Sequence, residues 1–396
     1  MSDVQQAGPG GGKSSPVCGT CLAGMLCLTA LMQAAAAQTP QVDLAARLVQ
    51  EADRLVQASY ILWSRSTIGL TEYAYCLNTA AHARTQARLV RRDTAAYREE
   101  LRKQRQLWQE AVEHLVRFPF PAAPGLTGDL ELAHYWAARA AADLAAGNMD
   151  TSNQRAALTQ ALAHAAALHE ARRNDLAVGF ADLPALALAA SLEGEVRVLL
   201  GQLDRDQGAI NAAMDDQLSV MEHVLNETVR LHTAGAEGGR DDRLAWARYW
   251  RDNTLAARAA LAGDQQQAAS LFDLCAQHAE QMFQARRHYY EAGTATPYEL
   301  AEASMLWTTA QLEGAKLRRQ AEQTSRAWQA HLSRLEELLA RAAEFRQAGD
   351  DGPRTHMTEL WQAMALSARL ELSTPPPMPT PSAKPRRRPK IVERSR

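Results

Sequence analysis

The chain reads as all-α, with long antiparallel helices and helical hairpins packed in a coiled-coil-like manner and a disordered C-terminal tail. Three observations predict this. From Gln41 onward, apolar residues recur every three or four positions rather than every two. Hydrophobic residues make up 46% of the chain but aromatics only 6%, and alanine supplies much of the difference, which favours helices packed through small side chains. Helix-starting and helix-ending residues also fall at the edges of these apolar stripes.

The N-terminal 37 residues read as a secretory signal peptide. A polar start ending at Lys13 precedes an apolar run over 17–31, and small residues at Ala35 and Ala37 satisfy an Ala-x-Ala site, with cleavage after Ala37. An uncleaved anchor is the competing reading, but Gly19, Thr20, Gly24 and Thr29 interrupt the run, which falls short of the roughly 20 apolar residues a span needs. A lipid-modified Cys27 is disfavoured by the bulky Leu26 before it. Two motifs in this segment read as decoys. The glycine-rich stretch ending at Lys13-Ser14 lacks the strand before it that a phosphate-binding loop needs, and Cys18 and Cys21 would leave with the peptide. Cys76 and Cys275 remain, read as core thiols with one disulfide left open.

Residues 38–372 form the helical body. Over 38–121 the sequence predicts a long helical hairpin. Thr39 and Pro40 open its first helix, which carries the stripe Ala45, Leu48, Ala52, Leu55 and Leu62. After Gly69 a second run aligns Tyr97, Leu101, Gln104, Trp108, Ala111 and Leu115, and prolines 119, 121 and 124 end it. Shorter helices fill 126–292, ending near Gly147, Gly201 and Gly263. The alternation is similar to tetratricopeptide-type arrays, but these glycines stand 54 and 62 residues apart where such repeats recur at about 34, so a regular solenoid is set aside. Over 293–372 a long helix and a terminal helix are expected. Thr296, Pro297 and Glu299 make a capping box, and Trp328, Leu332, Leu335, Leu339 and Ala342 a packing seam, in one rod reaching about Ala348 with any kink near Gly314 or residues 322–325. At about 1.5 Å per residue that rod would exceed roughly 70 Å.

Charge divides the chain further. The formal net charge of −2 combines a neutral leader, a body of about −8 and a tail over 373–396 with seven basic residues and one acid. That proline-rich tail cannot bury a core. Its basic arm, Lys384, Arg386, Arg387, Arg388 and Lys390, suits an anionic envelope surface or serves solubility, and with no interleaved aromatic it carries no specific nucleic-acid signature.

Tyr290, Gly293, Thr296, Tyr298, Leu300 and Ala303, with the helix after them, resemble the helical region of TolC-like outer-membrane efflux proteins over roughly residues 286–345, with a poorer echo around 67–117. The chain is also similar to uncharacterised Ala-rich exported helical bacterial proteins. The efflux resemblance implies a trimeric channel with a membrane β-barrel, yet no series of roughly ten-residue alternating strands is found.

Chemical signatures are sparse. Glu131 and His134 supply one of the two Glu-x-x-His pairs a di-iron bundle needs, and neither Cys275 with His278 nor His164 with His169 reaches the three or four ligands of a zinc site. Neither Gly-x-Ser-x-Gly nor His-Glu-x-x-His occurs. No catalytic, cofactor-binding or metal-binding residues are therefore assigned. Trp63, Tyr135, Trp136, Tyr249, Trp250, Tyr289 and Tyr290 read first as core and second as the lining of a groove. The resulting expectation is an exported, non-enzymatic scaffold or interaction protein of the periplasm or cell envelope, with a protein partner or self-association through its amphipathic helices. A diverged efflux component and a helical enzyme or metal binder are the alternatives.

Overall fold

The computed structural model describes residues 19–65, 67–90, 94–117, 126–178, 182–236, 240–349 and 358–373. Among them every regular element is a helix. These are α1 (Gly19–Ser64), α2 (Leu70–Val90), α3 (Thr94–Arg117), α4 (Leu126–Gly147), α5 (Thr151–Ala177), α6 (Leu183–Asp204), α7 (Gln207–Thr233), α8 (Asp241–Leu261), α9 (Gln265–Glu291), α10 (Pro297–Leu317), α11 (Ala321–Gln347) and α12 (Thr358–Ser373). Among the described residues no helix is long and apolar enough to cross a membrane.

The all-α expectation holds, and three of its details change. The rod expected from 293 to 348 is two helices, α10 and α11, folded against each other across residues 318–320. Gly314 does not kink it; Arg319 does, by taking a left-handed φ of 57°. Residues 38–121 hold three helices rather than one hairpin. A regular repeat is also present. Helices α2, α4, α6, α8 and α10 start at Leu70, Leu126, Leu183, Asp241 and Pro297, each 56 to 58 residues after the last.

The turns explain that period. In four successive hairpins one left-handed residue (Met149, Arg205, Gly263, Arg319) precedes the residue that caps the next helix (Asp150, Asp206, Asp264, Gln320). The amide of each capping residue donates back to a carbonyl of the preceding helix, to Ala145, Gly201, Ala259 and Ala315, at 2.8–2.9 Å. This satisfies carbonyls that would otherwise end the helix unpaired. In the first three turns an Asp side chain then accepts the amide of Asn153, Ala209 or Gln267.

Each helix packs on its sequence neighbours, and the last packs on the first, since α12 lies against both α1 and α2. Gln41 at the head of the α1 stripe hydrogen-bonds the carbonyl of Ser373 at the end of α12, and Gln86 of α2 donates to Glu371 at 2.5 Å. The hairpins thus close into a ring of twelve helices. Even-numbered helices form an inner layer and odd-numbered ones an outer layer. The inner helices are parallel: Tyr75 near the start of α2 meets Tyr298 near the start of α10, and Trp361 near the start of α12 donates to the Pro297 carbonyl at 3.1 Å. Inner helices such as α6 and α12 are apolar on nearly every side, because both flanks and the outer layer cover them, whereas α9 and α11 keep a charged outer face. Two apolar clusters fill the space between the layers, one around Trp361, Tyr249 and Tyr290, the other around Trp108 and Tyr135.

Candidate functional site: the axis of the ring

Closing six helical pairs into a ring leaves an axial cavity of about 630 Å³, lined by side chains from all six inner helices. Its wall is aromatic: Tyr75, Trp136, Trp246, Trp250 and Tyr298 face it from α2, α4, α8 and α10, and Trp328 joins them from α11. Hydrogen-bonding groups interrupt that wall along one stripe of α2, where Thr71, Tyr75, Asn78, Thr79 and His82 follow helical spacing. The Tyr75 and Tyr298 rings meet edge to face at 5.1 Å. Burial raises both phenols well above their ordinary value, helped by nearby Glu302, so each stays a neutral donor.

The chamber reaches the N-terminal ends of the inner helices, where Thr71, Asp182, Asp242 and Glu299 line it and helix dipoles bring their positive ends together. Acids occupy those ends: Glu72 in α2, Asp129 in α4, Asp182 capping α6, Asp242 in α8, Glu299 in α10 and Glu359 in α12. Arginines answer three of the six. Arg172 pairs with Asp129 at 2.8 Å and Arg243 with Asp182 at 3.2 Å. Arg240 grips both oxygens of Asp242 at 2.9 and 3.0 Å. Burial opposes ionisation of Asp242, but the Arg240 hydrogen bonds and the Arg286 charge prevail and hold its carboxyl below the usual range. Arg286, itself buried, donates through Nη1 to the Glu299 carbonyl at 2.8 Å and to Glu302 Oε2 at 2.7 Å, with its Nε 3.6 Å from Asp242. Burial, reinforced by Glu299, pushes Glu72 up.

The residues singled out from sequence disperse. The basic arm (Lys384, Arg386, Arg387, Arg388, Lys390), the glycine-rich stretch before Ser14 and Cys18 lie outside the described residues, as do the side chains of Ala37 and Cys21. Glu131 turns to His164 (2.7 Å), on which His134 stacks at 4.8 Å. His169 bonds Glu193 and His278 bonds Asp252, while Cys275 donates to the Tyr249 carbonyl. Cys76 and Cys275 are separate buried free thiols, and burial pushes Cys275 up to about 12. Among the described residues no three His, Cys, Asp or Glu side chains are grouped to hold a metal. Of the seven aromatics considered for a groove, Trp136 and Trp250 line the cavity, Tyr135, Tyr249 and Tyr290 fill the core, Trp63 stacks on Tyr73, and Tyr289 lies beneath Arg240. Tyr75, Trp246, Tyr298 and Trp328 were not expected there. Their signal is the polar stripe of α2 on a helix otherwise covered on all sides, and the Trp246/Trp250 pair one turn apart.

No protein-family model and no curated protein matches the chain in sequence. The fold and its site therefore define the molecule by geometry: a closed ring of helical hairpins around an aromatic-walled chamber.

Proposed function

We propose that this protein is an exported binding protein of the cell envelope that holds one small organic molecule on the axis of its helical ring. One observation carries the reading: the chamber is shared by all six inner helices, and its volume of about 630 Å³ is that of a small-molecule site. Its aromatic walls offer stacking surface, and its neutral hydroxyl and amide groups offer orientation. Envelope placement rests on the N-terminal segment, and the basic arm would hold the ring near an anionic surface.

The test is saturable binding to the purified protein, read by calorimetry across aromatic and amphiphilic compounds. Ala185, which lines the chamber, is then replaced by Trp to fill it. Binding that weakens at least about a hundredfold in a variant with an unchanged helical spectrum supports the reading. Binding that survives the filled chamber, or no binding across the panel, refutes it. A scaffold acting through the outer helices is the second reading, favoured by Tyr60 and Ile61, 46% and 41% exposed beside each other on α1. It requires self-association that replacement of both residues by Ser abolishes.

A further inference from the structure

From the outer layer, α11 contributes His331 to the chamber wall. This histidine is 1% exposed and belongs to a chain of hydrogen bonds that runs back into the protein. Ser304 Oγ lies 3.0 Å from His331 Nδ1, and Arg334 Nε donates to the same oxygen at 3.0 Å. The Arg334 guanidinium also donates to the Ser304 carbonyl and to Thr308 Oγ1, and it stacks over Trp307 at 4.1 Å.

The direction of each bond follows from the inventory. Arg334 has only donors, so Ser304 Oγ accepts from it. Among the described residues the Ser304 hydroxyl proton has one acceptor within reach, His331 Nδ1. The tautomer that satisfies this hydroxyl leaves Nδ1 unprotonated and places the ring proton on Nε2. Burial, with the Arg334 charge behind it, holds this imidazole neutral. Nε2 has no partner among the described residues, yet it is not sealed inside the core. On a side chain this buried, the space it meets is the chamber.

The source of the chain is unusual. Arg334 is buried and makes no ion pair among the described residues; all its hydrogen bonds go to neutral oxygens. Burial and the lack of a close counter-charge lower its pKa to about 10, with Glu280 a weak opposing influence. The acids lining the chamber are otherwise engaged: Glu302 by Arg286, Asp242 by Arg240, Asp182 by Arg243, and Glu299 by the Thr296 amide. The one charge acting on the His331 imidazole is therefore that of Arg334, and it reaches the chamber through the donated proton of His331. Hydrogen bonds aligned donor to acceptor polarise one another, so this N–H is a stronger donor than an isolated neutral histidine.

We infer that His331 is the specificity-determining residue of the chamber and that its ligand is an organic acid, an aromatic or apolar body bearing a carboxylate that accepts the His331 Nε2 proton. Arg334 supplies the charge and Ser304 transmits it, both as positioning residues. The body of the ligand packs on the aromatic wall. This rests on the chamber being a binding site, and the test separates the two claims.

Naphthalene-2-carboxylate and the neutral naphthalene-2-methanol are titrated into the full chain by calorimetry at neutral pH. A hydrogen bond to a charged acceptor corresponds to a preference of about tenfold or more for the carboxylate. His331→Phe should abolish that preference, so that the two probes bind within about threefold of each other. Ser304→Ala, which frees the imidazole to change tautomer, should reduce the preference several-fold, and it serves where the Phe variant does not fold. Equal binding of the two probes, or a preference that survives both substitutions, overturns the inference and leaves the binding chamber standing. Failure of both probes to bind overturns the inference and the reading of the chamber as an arene site together.

Discussion

Acid should weaken this fold through one imidazole in particular. His331 is buried to 1% exposure, and burial followed by the Arg334 charge depresses its folded pKa to about 3, against about 6.5 in an unfolded chain. Between those values the unfolded chain takes up a proton that the native protein refuses. The stability contributed by neutral His331 is therefore complete above about pH 6.5 and is lost as pH falls toward 3. The slope is about 1.4 kcal/mol per pH unit, and the full loss is on the order of 4–5 kcal/mol. Other groups bend the same curve. His82 and His134 are also depressed by burial, Glu72, Asp129 and Asp143 are raised and act with opposite sign, and Asp242 and Asp252 lose their contribution only at lower pH. The readout is accordingly the difference between wild type and His331→Asn, which removes the titration while keeping a polar side chain. Urea unfolding followed by circular dichroism at pH 7 and at pH 5 should show wild type losing about 2 kcal/mol more than the variant across that interval. Parallel curves, within about 0.5 kcal/mol of each other, would refute the assignment of His331 as a buried neutral imidazole.

Two further substitutions probe the ring itself. Arg286→Ala leaves Glu302 without its arginine and Asp242 with Arg240 alone, and loss of one partner from a buried pair should cost about 3–5 kcal/mol in urea unfolding, whereas a loss under about 1 kcal/mol would show this ion-pair network to be incidental. Gly201→Ala would place a methyl 2.7 Å from Ile210 Cγ1 and 3.3 Å from the Asp206 carbonyl in the α6–α7 turn, so overpacking of about 1–3 kcal/mol is expected, and a neutral result in the same assay would mean that the turn can open at no cost.

How far the sequence could be read depended on the range of the interaction. Helix type and most boundaries are local properties: the capping box at Thr296 and Glu299 is present as expected, and Ala45, Leu48, Ala52 and Leu55 are all fully buried. The α10–α11 turn was missed because Arg319 adopts a left-handed conformation usually left to glycine, and the continuous seam across it matched a rod. The repeat was missed for the same reason. Glycines mark the turns irregularly, but Asp150, Asp206 and Asp264, the capping residues, stand 56 and 58 residues apart. The chamber was least legible. Its wall joins residues as distant as Thr71 and Ser367, and no local pattern states that α12 returns to α1. Trp136 and Trp250 were visible as large residues among alanines, but whether an aromatic fills a core or faces a cavity depends on that closure.

Closure is the claim on which the chamber, its ligand and the role of His331 all depend, and it can be tested by trapping it. In a chain whose Cys18, Cys21, Cys27, Cys76 and Cys275 are replaced by Ala, Gln41 and Ser373 become cysteines and are treated with a short bis-maleimide under native conditions. The contact of Gln41 with the Ser373 carbonyl, across 332 residues of sequence, predicts a monomer cross-linked within itself, recovered as one linked peptide pair by mass spectrometry. An open array of hairpins would give no such pair, or only links between molecules, while a control pair at Arg155 and Asp204 in neighbouring helices still reacts. That result would contradict the ring.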